Sequence, residues 1–228
     1  MLYLVVKICI IIPVYNEGKR SVKTIKCILK NTKNDLIVID DGSIDESYLI
    51  LKKAFRKNNR IKLLHHILNL GKGAAMKTGA EKAWELGAGA IIFIDADGQH
   101  NPKHLKRFQK KLEEYSIVFG YRVLDKKMPL VRKLGNIFAS YLISVLFNIK
   151  KKDLLSGYLG FRKDVYETIM WHSCRYGIET EMATKIGRNK LSFCEIKIDT
   201  IYIDKYKGVT ILDALNILFQ IPFWYFSK

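Results

Sequence analysis

Apolar and polar positions follow two rhythms along this chain. Short, Ile- and Val-rich runs recur at Lys7–Val14, Leu36–Asp40, Ile61–His65, Ala90–Asp95 and Ser116–Gly120. Their length and β-branched content predict buried strands. Between them, at Gly18–Lys33, Asp45–Asn58, Gly73–Leu86, Pro102–Tyr115 and Leu130–Ile149, apolar residues return every three or four positions. That period predicts helices with one buried face. Asn101-Pro102 marks a helix start, with Asn as N-cap and Pro at the first helical position. Such alternation predicts an α/β fold, a mainly parallel sheet with helices on both faces. After Lys150 the rhythm changes. A Gly-containing stretch, Ser156–Arg162, precedes helical segments near Val165–Trp171 and Ile178–Asn189 and a strand-like run at Phe193–Ile203. The tail, Thr210–Phe226, is rich in apolar residues and ends in Phe223-Trp224-Tyr225-Phe226. No repeat, low-complexity segment or linker intervenes, so the expected organisation is one domain over 1–209 and a C-terminal tail over 210–228 that lies at a membrane interface.

Length and charge sharpen this picture. A chain of 228 residues, 49% hydrophobic and 27% charged, suits one folded domain with a sizeable core. Lys and Arg number 39 against 22 Asp and Glu, a net charge of +17, which implies an acidic partner: nucleic acid, anionic lipid or a phosphorylated substrate. The excess is concentrated between Asn101 and Lys163, with 15 basic residues against 4 acidic. Cys9, Cys27, Cys174 and Cys194 lie far apart without CxxC spacing. They predict a reducing, cytoplasmic compartment with neither a disulfide framework nor a zinc site. The apolar N-terminus is interrupted by Lys7 and runs into a polar motif, so it reads as a buried strand rather than a signal peptide. The apolar run Ile137–Ile149 spans roughly 20 Å as a helix, short of a hydrocarbon core of about 30 Å.

Three polar motifs each follow an apolar strand: Pro13-Val14-Tyr15-Asn16-Glu17, Asp40-Asp41-Gly42-Ser43-Ile44-Asp45 and Asp95-Ala96-Asp97-Gly98-Gln99-His100. Ligands of open α/β sheets bind at the carboxyl ends of the strands, so the three are expected to converge on one site. Asp95 and Asp97 are alternate residues leaving a strand, and a period of two turns both carboxylates the same way. Two carboxylates with substrate phosphates completing the octahedron suit Mg²⁺ or Mn²⁺, and Gln99 adds a ligand or orients a bound water. The segment Asn69-Leu70-Gly71-Lys72-Gly73 lacks the GxxxxGK[ST] spacing of an ATPase loop, but a helix N-terminus beside Lys72 can hold an anion. His100 and His104 are four apart, yet the expected helix begins between them, so they need not share a face.

Taken together, the segments IIPVYNE, DDGSID, NLGKGAAMKTG and DADGQH resemble the family-2 nucleotide-sugar glycosyltransferases of GT-A fold. The similarity runs over roughly residues 8–165 and is greatest to the dolichyl-phosphate mannose synthases and related polyprenyl-phosphate sugar synthases. The resemblance implies that Pro13, Tyr15, Glu17, Ile39 and Asp41 hold the nucleotide's base and ribose, with Lys72, Asp95 and Ala96 also on the donor. It implies a metal pair at Asp95 and Asp97 with Gln99 beside it. Arg122, Arg132 and Asn136 fall where the relatives bind phosphate, although they often carry Ser at Asn136. Asp153 with Ser156-Gly157-Tyr158-Leu159-Gly160-Phe161-Arg162 matches the segment lining their acceptor side. The relatives carry an Arg followed by Gly-x-Ser-Lys near the last strand. This chain reads Asp204-Lys205-Tyr206-Lys207-Gly208, and Lys205 is not equivalent to arginine at a bidentate phosphate site.

The expected reaction moves a hexose from GDP-mannose or a UDP-sugar to dolichyl or polyprenyl phosphate at the cytoplasmic face of a membrane. The resemblance alone implies inversion at the anomeric carbon. A metal on Asp95 and Asp97 would stabilise charge on the departing diphosphate, helped by nearby cations. Asp97, Arg122, Arg132 and Asp153 are the expected catalytic residues. A phosphate acceptor is already anionic at neutral pH and needs positioning by Arg122 and Arg132 rather than a base. A sugar or protein hydroxyl would need one, and Asp153, Glu179 and Glu181 are the candidates, with Glu179 and Glu181 unresolved. Basic charge, an apolar helix and an aromatic tail fit a peripheral membrane surface. A non-catalytic nucleotide-sugar binder remains open. Nucleic acid is not expected as a partner: the charge permits it, but no binding motif accompanies it and paired aspartates repel phosphate.

Overall fold

The computed structural model describes residues 6–122, 140–154, 156–174, 177–199, 220–221 and 223–224. The expected strands and helices form, in the order β1 (Ile8–Val14), α1 (Gly18–Asn31), β2 (Asp35–Asp40), α2 (Ser47–Phe55), β3 (Ile61–His65), α3 (Lys72–Glu85), β4 (Ala90–Phe93), α4 (Leu105–Glu114) and β5 (Ile117–Arg122). Helical residues 140–147 (α5), β6 (Leu159–Arg162), α6 (Tyr166–Ile169), α7 (Ile178–Arg188) and β7 (Cys194–Ile198) follow. Asn101 caps as its motif predicts, its side-chain oxygen accepting from Lys103 N, but Pro102–His104 form a 3₁₀ turn ahead of α4. Arg132, Asn136 and Lys205, the first half of the helix expected over Leu130–Ile149, and most of the 210–228 tail lie outside the described residues.

Among the described residues the sheet has seven strands in the order β3-β2-β1-β4-β6-β5-β7. It is mainly parallel, as expected, with β6 running antiparallel to both neighbours. The sequence had shown β6 only as a Gly-containing stretch. Gly160 explains both the concealment and the strand: a Cβ there would lie 2.9 Å from Ile91 O and 3.0 Å from Ile92 Cγ1, so this position fits between strands only without a side chain. Helices cover both faces. One core layer joins α3, α5, α6 and α7 to the sheet through Ile11, Ile39, Phe119, Phe161, Trp171 and Met182. The other joins α1, α2 and α4 through Ile10, Val38, Ile25, Leu51 and Phe108. From the tail, Ile221 and Trp224 are buried in the first layer, and Arg188 Nη2 donates to Trp224 O, whereas Phe223 stays exposed.

Two features open a crevice at the carboxyl edge. Strand order reverses between β1 and β4, and β4 ends at Phe93, paired with Ile11, while β1 continues to Val14. Ile11 O accepts from Ile94 N, so by alternation Pro13 turns the side lacking an N–H toward the same notch, past the last β4 pair. Pro is thereby accommodated in a central strand, at the mouth of the crevice. Helix α3 approaches β1 and β2 closely because its buried stripe is small: a Cβ on Gly79 would lie 2.5 Å from Ile11 Cγ2 and 2.7 Å from Ile39 Cδ1.

The start of α3 is tighter still. Gly73 N donates to Cys174 O at 2.7 Å, Trp171 Nε1 donates to Gly73 O at 2.9 Å, and a Cβ on Gly73 would lie 2.1 Å from Ser173 O. Gly to Ala inside a helix ordinarily stabilises by up to about 1 kcal/mol. Here the backbone of 173–174 must move, and Gly73→Ala is expected to destabilise by about 1–3 kcal/mol. In a chain of this size that lowers the melting temperature by roughly 2–4 °C per kcal/mol, readable by calorimetry. An unchanged or higher melting temperature would refute the packing described.

Candidate active site

The three strand-end motifs do converge. Asn16 N donates to Ser43 Oγ at 3.0 Å, Asn16 Oδ1 accepts from Ile44 N at 3.0 Å, and Gly18 N donates to Ser47 Oγ at 2.7 Å, stitching the first loop to the second. Asn16 takes a left-handed φ of 51°, which Asn tolerates better than most residues. The second loop is fastened to the segment that joins β3 to α3: Asp41 accepts from Leu70 N at 3.1 Å, Gly71 N at 2.8 Å and His66 Nδ1 at 2.8 Å. His66 Nε2 then accepts from the Thr78 hydroxyl at 3.1 Å. Gly42, at φ 67°, passes so close to this segment that a Cβ would lie 2.3 Å from Leu68 C. Asp41 therefore organises the turn that delivers Lys72.

Lys72 is the centre of the arrangement. Its Nζ lies 2.9 Å from Asp95 Oδ1 and 3.2 Å from Glu179 Oε1, joining the start of α3, the end of β4 and the start of α7. Burial alone would push the Lys72 ammonium toward neutrality, but Asp95 and then Glu179 outweigh it and hold its pKa above the ordinary lysine value. Burial likewise opposes ionisation of Asp95; Lys72, His100 and Arg122 reverse the balance and hold that carboxyl below its usual range. Gly157 admits the chain over this group: a Cβ there would lie 2.7 Å from Lys72 Nζ and 2.9 Å from Asp95 Oδ2.

Asp97 differs from Asp95. Burial, then the neighbouring Asp95 charge, push its carboxyl up; the Gln99 N–H at 2.9 Å and His100 oppose this, and Glu17 adds to it. Asp95, Asp97 and Glu17 thus concentrate negative charge at the mouth of the crevice. Two carboxylates with an amide are a set that Mg²⁺ or Mn²⁺ accepts when substrate oxygens complete the shell. Among the described residues no group of three or more His, Cys, Asp or Glu forms a metal cluster. His100 is buried against Tyr158, ring centroids 5.1 Å apart, and its Nδ1 accepts from Asp95 N at 3.3 Å, placing any single proton on Nε2. Burial, first, lowers its pKa, against the opposing pull of the Asp95 and Asp97 charges. His104 turns elsewhere, its Nε2 accepting from Asp199 N at 3.1 Å, so the two histidines share no ligand position.

The expected acceptor-side residues also meet. Arg122 Nε and Nη2 donate to Asp153 Oδ2 and Oδ1 at 2.7 and 3.0 Å, and Arg122 N donates to Oδ2 at 3.1 Å. Asp153 is fully buried. Burial raises its pKa, but the Arg122 hydrogen bonds and charge hold it below the usual carboxylate range. Tyr15 is exposed at the crevice, whereas Ile39 and Ala96 are buried, Ile39 against α3, so their side chains support the loops from beneath. Sequence reasoning missed Lys151, buried over the Phe119 ring at 3.9 Å, because it sits in a run of three lysines that reads as a solvated face.

The fold separates Glu179 from Glu181. Positions two apart on a helix point in nearly opposite directions. Glu179 meets Lys72, while Glu181 accepts from His172 N at 2.9 Å, Ser173 N at 2.9 Å, Ser173 Oγ at 2.7 Å and Lys185 Nζ at 3.1 Å. Glu181 thus holds the 172–173 loop, the same loop that closes on Gly73.

With this geometry in view, comparison with known proteins gives a consistent answer. The family model described as Glycosyl transferase family 2 matches residues 9–170. An uncharacterised protein of Methanocaldococcus jannaschii is 31% identical over 94% of this chain and 90% of its own length. The UDP-N-acetylglucosamine–dolichyl-phosphate N-acetylglucosaminyltransferase of Methanococcus voltae is 29% identical over 94% of both. In fold, the chain is similar to the glucosyl-3-phosphoglycerate synthase of Mycobacterium tuberculosis, solved with Mn²⁺, UDP and phosphoglyceric acid, with a TM-score of 0.74 at 15% identity over 98% of this chain and 80% of that one.

Burial raises the Glu181 pKa, but the donors from Ser173, His172 and Lys185 reverse this and hold it below its ordinary value. A depressed folded value makes its stabilisation complete above the unfolded value of about 4.3 and lost as pH falls through the folded one. Glu181→Gln is therefore expected to lose about 2–4 kcal/mol at pH 7, and less below pH 4, in denaturant melts at both pH values. A gap that widens on acidification would contradict the assignment.

Proposed function

The chain belongs to glycosyl transferase family 2, and from that premise we propose that it transfers a hexose from GDP-mannose or a UDP-sugar to dolichyl or polyprenyl phosphate. It is a nucleotide-sugar-dependent glycosyltransferase of GT-A fold. One observation carries the choice of acceptor: each carboxylate that could serve as a base is already engaged. Asp153 is gripped by Arg122, Glu181 holds the 172–173 loop, and Glu179 pairs with Lys72. Asp153 and Glu181 are also held below the usual carboxylate range, the wrong direction for a general base at neutral pH. A phosphate monoester, with a second pKa near 6, needs no base. The Methanococcus relative, named for a dolichyl-phosphate acceptor, supports this choice.

In the proposed mechanism, Pro13, Tyr15, Glu17, Ile39 and Asp41 form or brace the pocket for base and ribose, Lys72 and Asp95 serve the diphosphate, and Ala96 and Lys205 are assigned to the donor by the sequence resemblance alone. Asp95, Asp97 and Gln99 would hold Mg²⁺ or Mn²⁺; the Asp95–Asp97 repulsion that raises the Asp97 pKa is what a divalent cation relieves. Bound there, the cation supplies Lewis-acid stabilisation of charge on the leaving diphosphate. A phosphate oxygen of the acceptor attacks the anomeric carbon in line and with inversion. The bond from that carbon to the diphosphate breaks, and its electron pair stays with the β-phosphate oxygen. Lys72, fixed by Asp95 and Glu179, holds a positive charge beside that oxygen. Arg122, oriented by Asp153, and Arg132 and Asn136 position the acceptor phosphate.

A peripheral membrane setting, on the cytoplasmic face, completes the proposal. Among the described residues no helix is long and apolar enough to cross a membrane. Tyr141 and Val145 on α5 and Phe223 in the tail are exposed apolar side chains, and the basic excess between Asn101 and Lys163 favours anionic headgroups.

Purified protein with Mg²⁺ or Mn²⁺, polyprenyl phosphate and a panel of nucleotide sugars is expected to yield a lipid-phosphate-sugar, read by mass spectrometry. Asp97→Ala should reduce turnover by at least about 100-fold, the scale of several kcal/mol of lost charge stabilisation. Arg132→Ala should be severely impaired, while Glu179→Gln should retain turnover within about 10-fold. A hydroxyl acceptor with Glu179 as base would reverse that order, with a loss of about 10²–10⁴-fold at Glu179.

A further inference from the structure

Lys151 stands apart from every other charged group around the crevice. It is 5% exposed, and its Nζ sits 3.9 Å above the Phe119 ring. Its hydrogen bond to Leu154 O, at 3.5 Å, is at the limit of such contacts, and it forms no ion pair among the described residues. A buried ammonium normally has a counter-ion, because desolvation otherwise costs several kcal/mol. The obvious counter-ion is two residues away, but Arg122 occupies both Asp153 oxygens with its Nε and Nη2. Glu179 on α7 is committed to Lys72, and Glu195 on β7 accepts from Lys152 N at 2.9 Å. Lys151 is therefore left without a carboxylate of its own among the described residues, its ammonium lying over an aromatic ring.

We propose that Lys151 is an anion-binding residue of the acceptor pocket, its buried ammonium taking a phosphate monoester together with Arg122. The inference rests on the phosphate-acceptor reading above and deepens it by naming a cation that reading does not use. Burial, first, and Arg122 lower the Lys151 pKa, Asp153, Glu179 and Glu195 oppose them, and the outcome is about 8. The side chain is thus close to losing its proton without a ligand. A bound phosphate dianion restores the missing counter-charge, so the anion and the Lys151 proton stabilise one another. The same chemistry arises from a lipid phosphate headgroup or from a free phosphate monoester.

The test follows the Lys151 side chain directly. With lysine labelled at ¹³Cε in the full chain, and its resonance assigned through Lys151→Met, the titration midpoint is expected near 8 without ligand. Saturating geranyl phosphate or inorganic phosphate should raise it by about one to three pH units. A rise with both ligands, or with inorganic phosphate alone, identifies a general phosphate site. A rise with geranyl phosphate alone identifies the lipid headgroup. No rise with either overturns the proposal. Lys151→Met should increase the KM for the phosphate acceptor by about 10- to 100-fold, leave the donor KM unchanged and not lower the melting temperature, since it removes an unpaired buried charge. A merely structural lysine would give the opposite result, lower stability with an unchanged acceptor KM, which overturns the inference. If the midpoint rises but polyprenyl phosphate yields no product, the Lys151 site stands and the lipid-acceptor reading falls.

Discussion

The Lys72 ammonium between Asp95 and Glu179 is the contact on which the rest of the site depends. Three elements from distant parts of the sequence end there: α3 by its first residue, β4 just past its last, and α7 in its first turn. Without the cation, two carboxylates would face one another under partial burial. With it, the repulsion becomes attraction, and the elements are held to within a hydrogen bond of one another. The surrounding chain is shaped to permit this. Gly157 passes over the group where any side chain would collide with Lys72 Nζ at 2.7 Å, and Gly73 lets the 173–174 backbone close on α3. The small residues of the site are spaces left for a charge cluster.

Carboxylates around the crevice divide by what they accept. Asp41 and Glu181 take backbone N–H groups from loops, Leu70 and Gly71 for one, His172 and Ser173 for the other. Both loops end at α3, one leading into Lys72 and the other pressing on Gly73. The acids that look most chemical by type are thus partly the fasteners of the scaffold. Asp95 and Asp97 carry the opposing electrostatic shifts expected of a pair in a working site, one pushed down and one up by the environment they share.

Much of this was legible in the sequence, and the rest was hidden for physical reasons. Strands such as Ile8–Val14 and helices such as Gly18–Asn31 announce themselves by period, and motifs at strand ends announce a shared site because parallel strands place their ends together. β6 did not announce itself: it is four residues long, contains Gly160, and is specified by its neighbours on both sides rather than by its own propensity. Glu179 and Glu181 are indistinguishable by type and spacing; only the orientation of α7 against α3 gives one to Lys72 and the other to the 172–173 loop. Ile39 resembles a pocket residue by position, yet its side chain lies under α3. Lys151 was concealed by its company, because a run of three lysines is ordinarily solvated, and only the Phe119 ring beneath it shows that the middle one turns inward.

The charge arrangement bears on why such a protein is so basic while its crevice is not. Among described residues, Asp95, Asp97 and Glu17 crowd negative charge at one end of the crevice, with Lys72 on Asp95 and Arg20 on Glu17, and on the proposed reading this charge disfavours a diphosphate until a further cation joins it. Around Asp153 the balance is reversed, with Arg122 and Lys151 beside one carboxylate. On the proposed reading the two ends make opposite demands on their ligands, one for a cation that arrives with the donor phosphates, the other for an anion. A hydroxyl would satisfy neither the acceptor cluster's charge nor, given how its carboxylates are engaged, its own need to lose a proton. The phosphate monoester of the proposed reaction satisfies the first and has no need of the second. The basic surface outside then acts at longer range, drawing anionic ligands toward a crevice whose inner charges decide where each one rests.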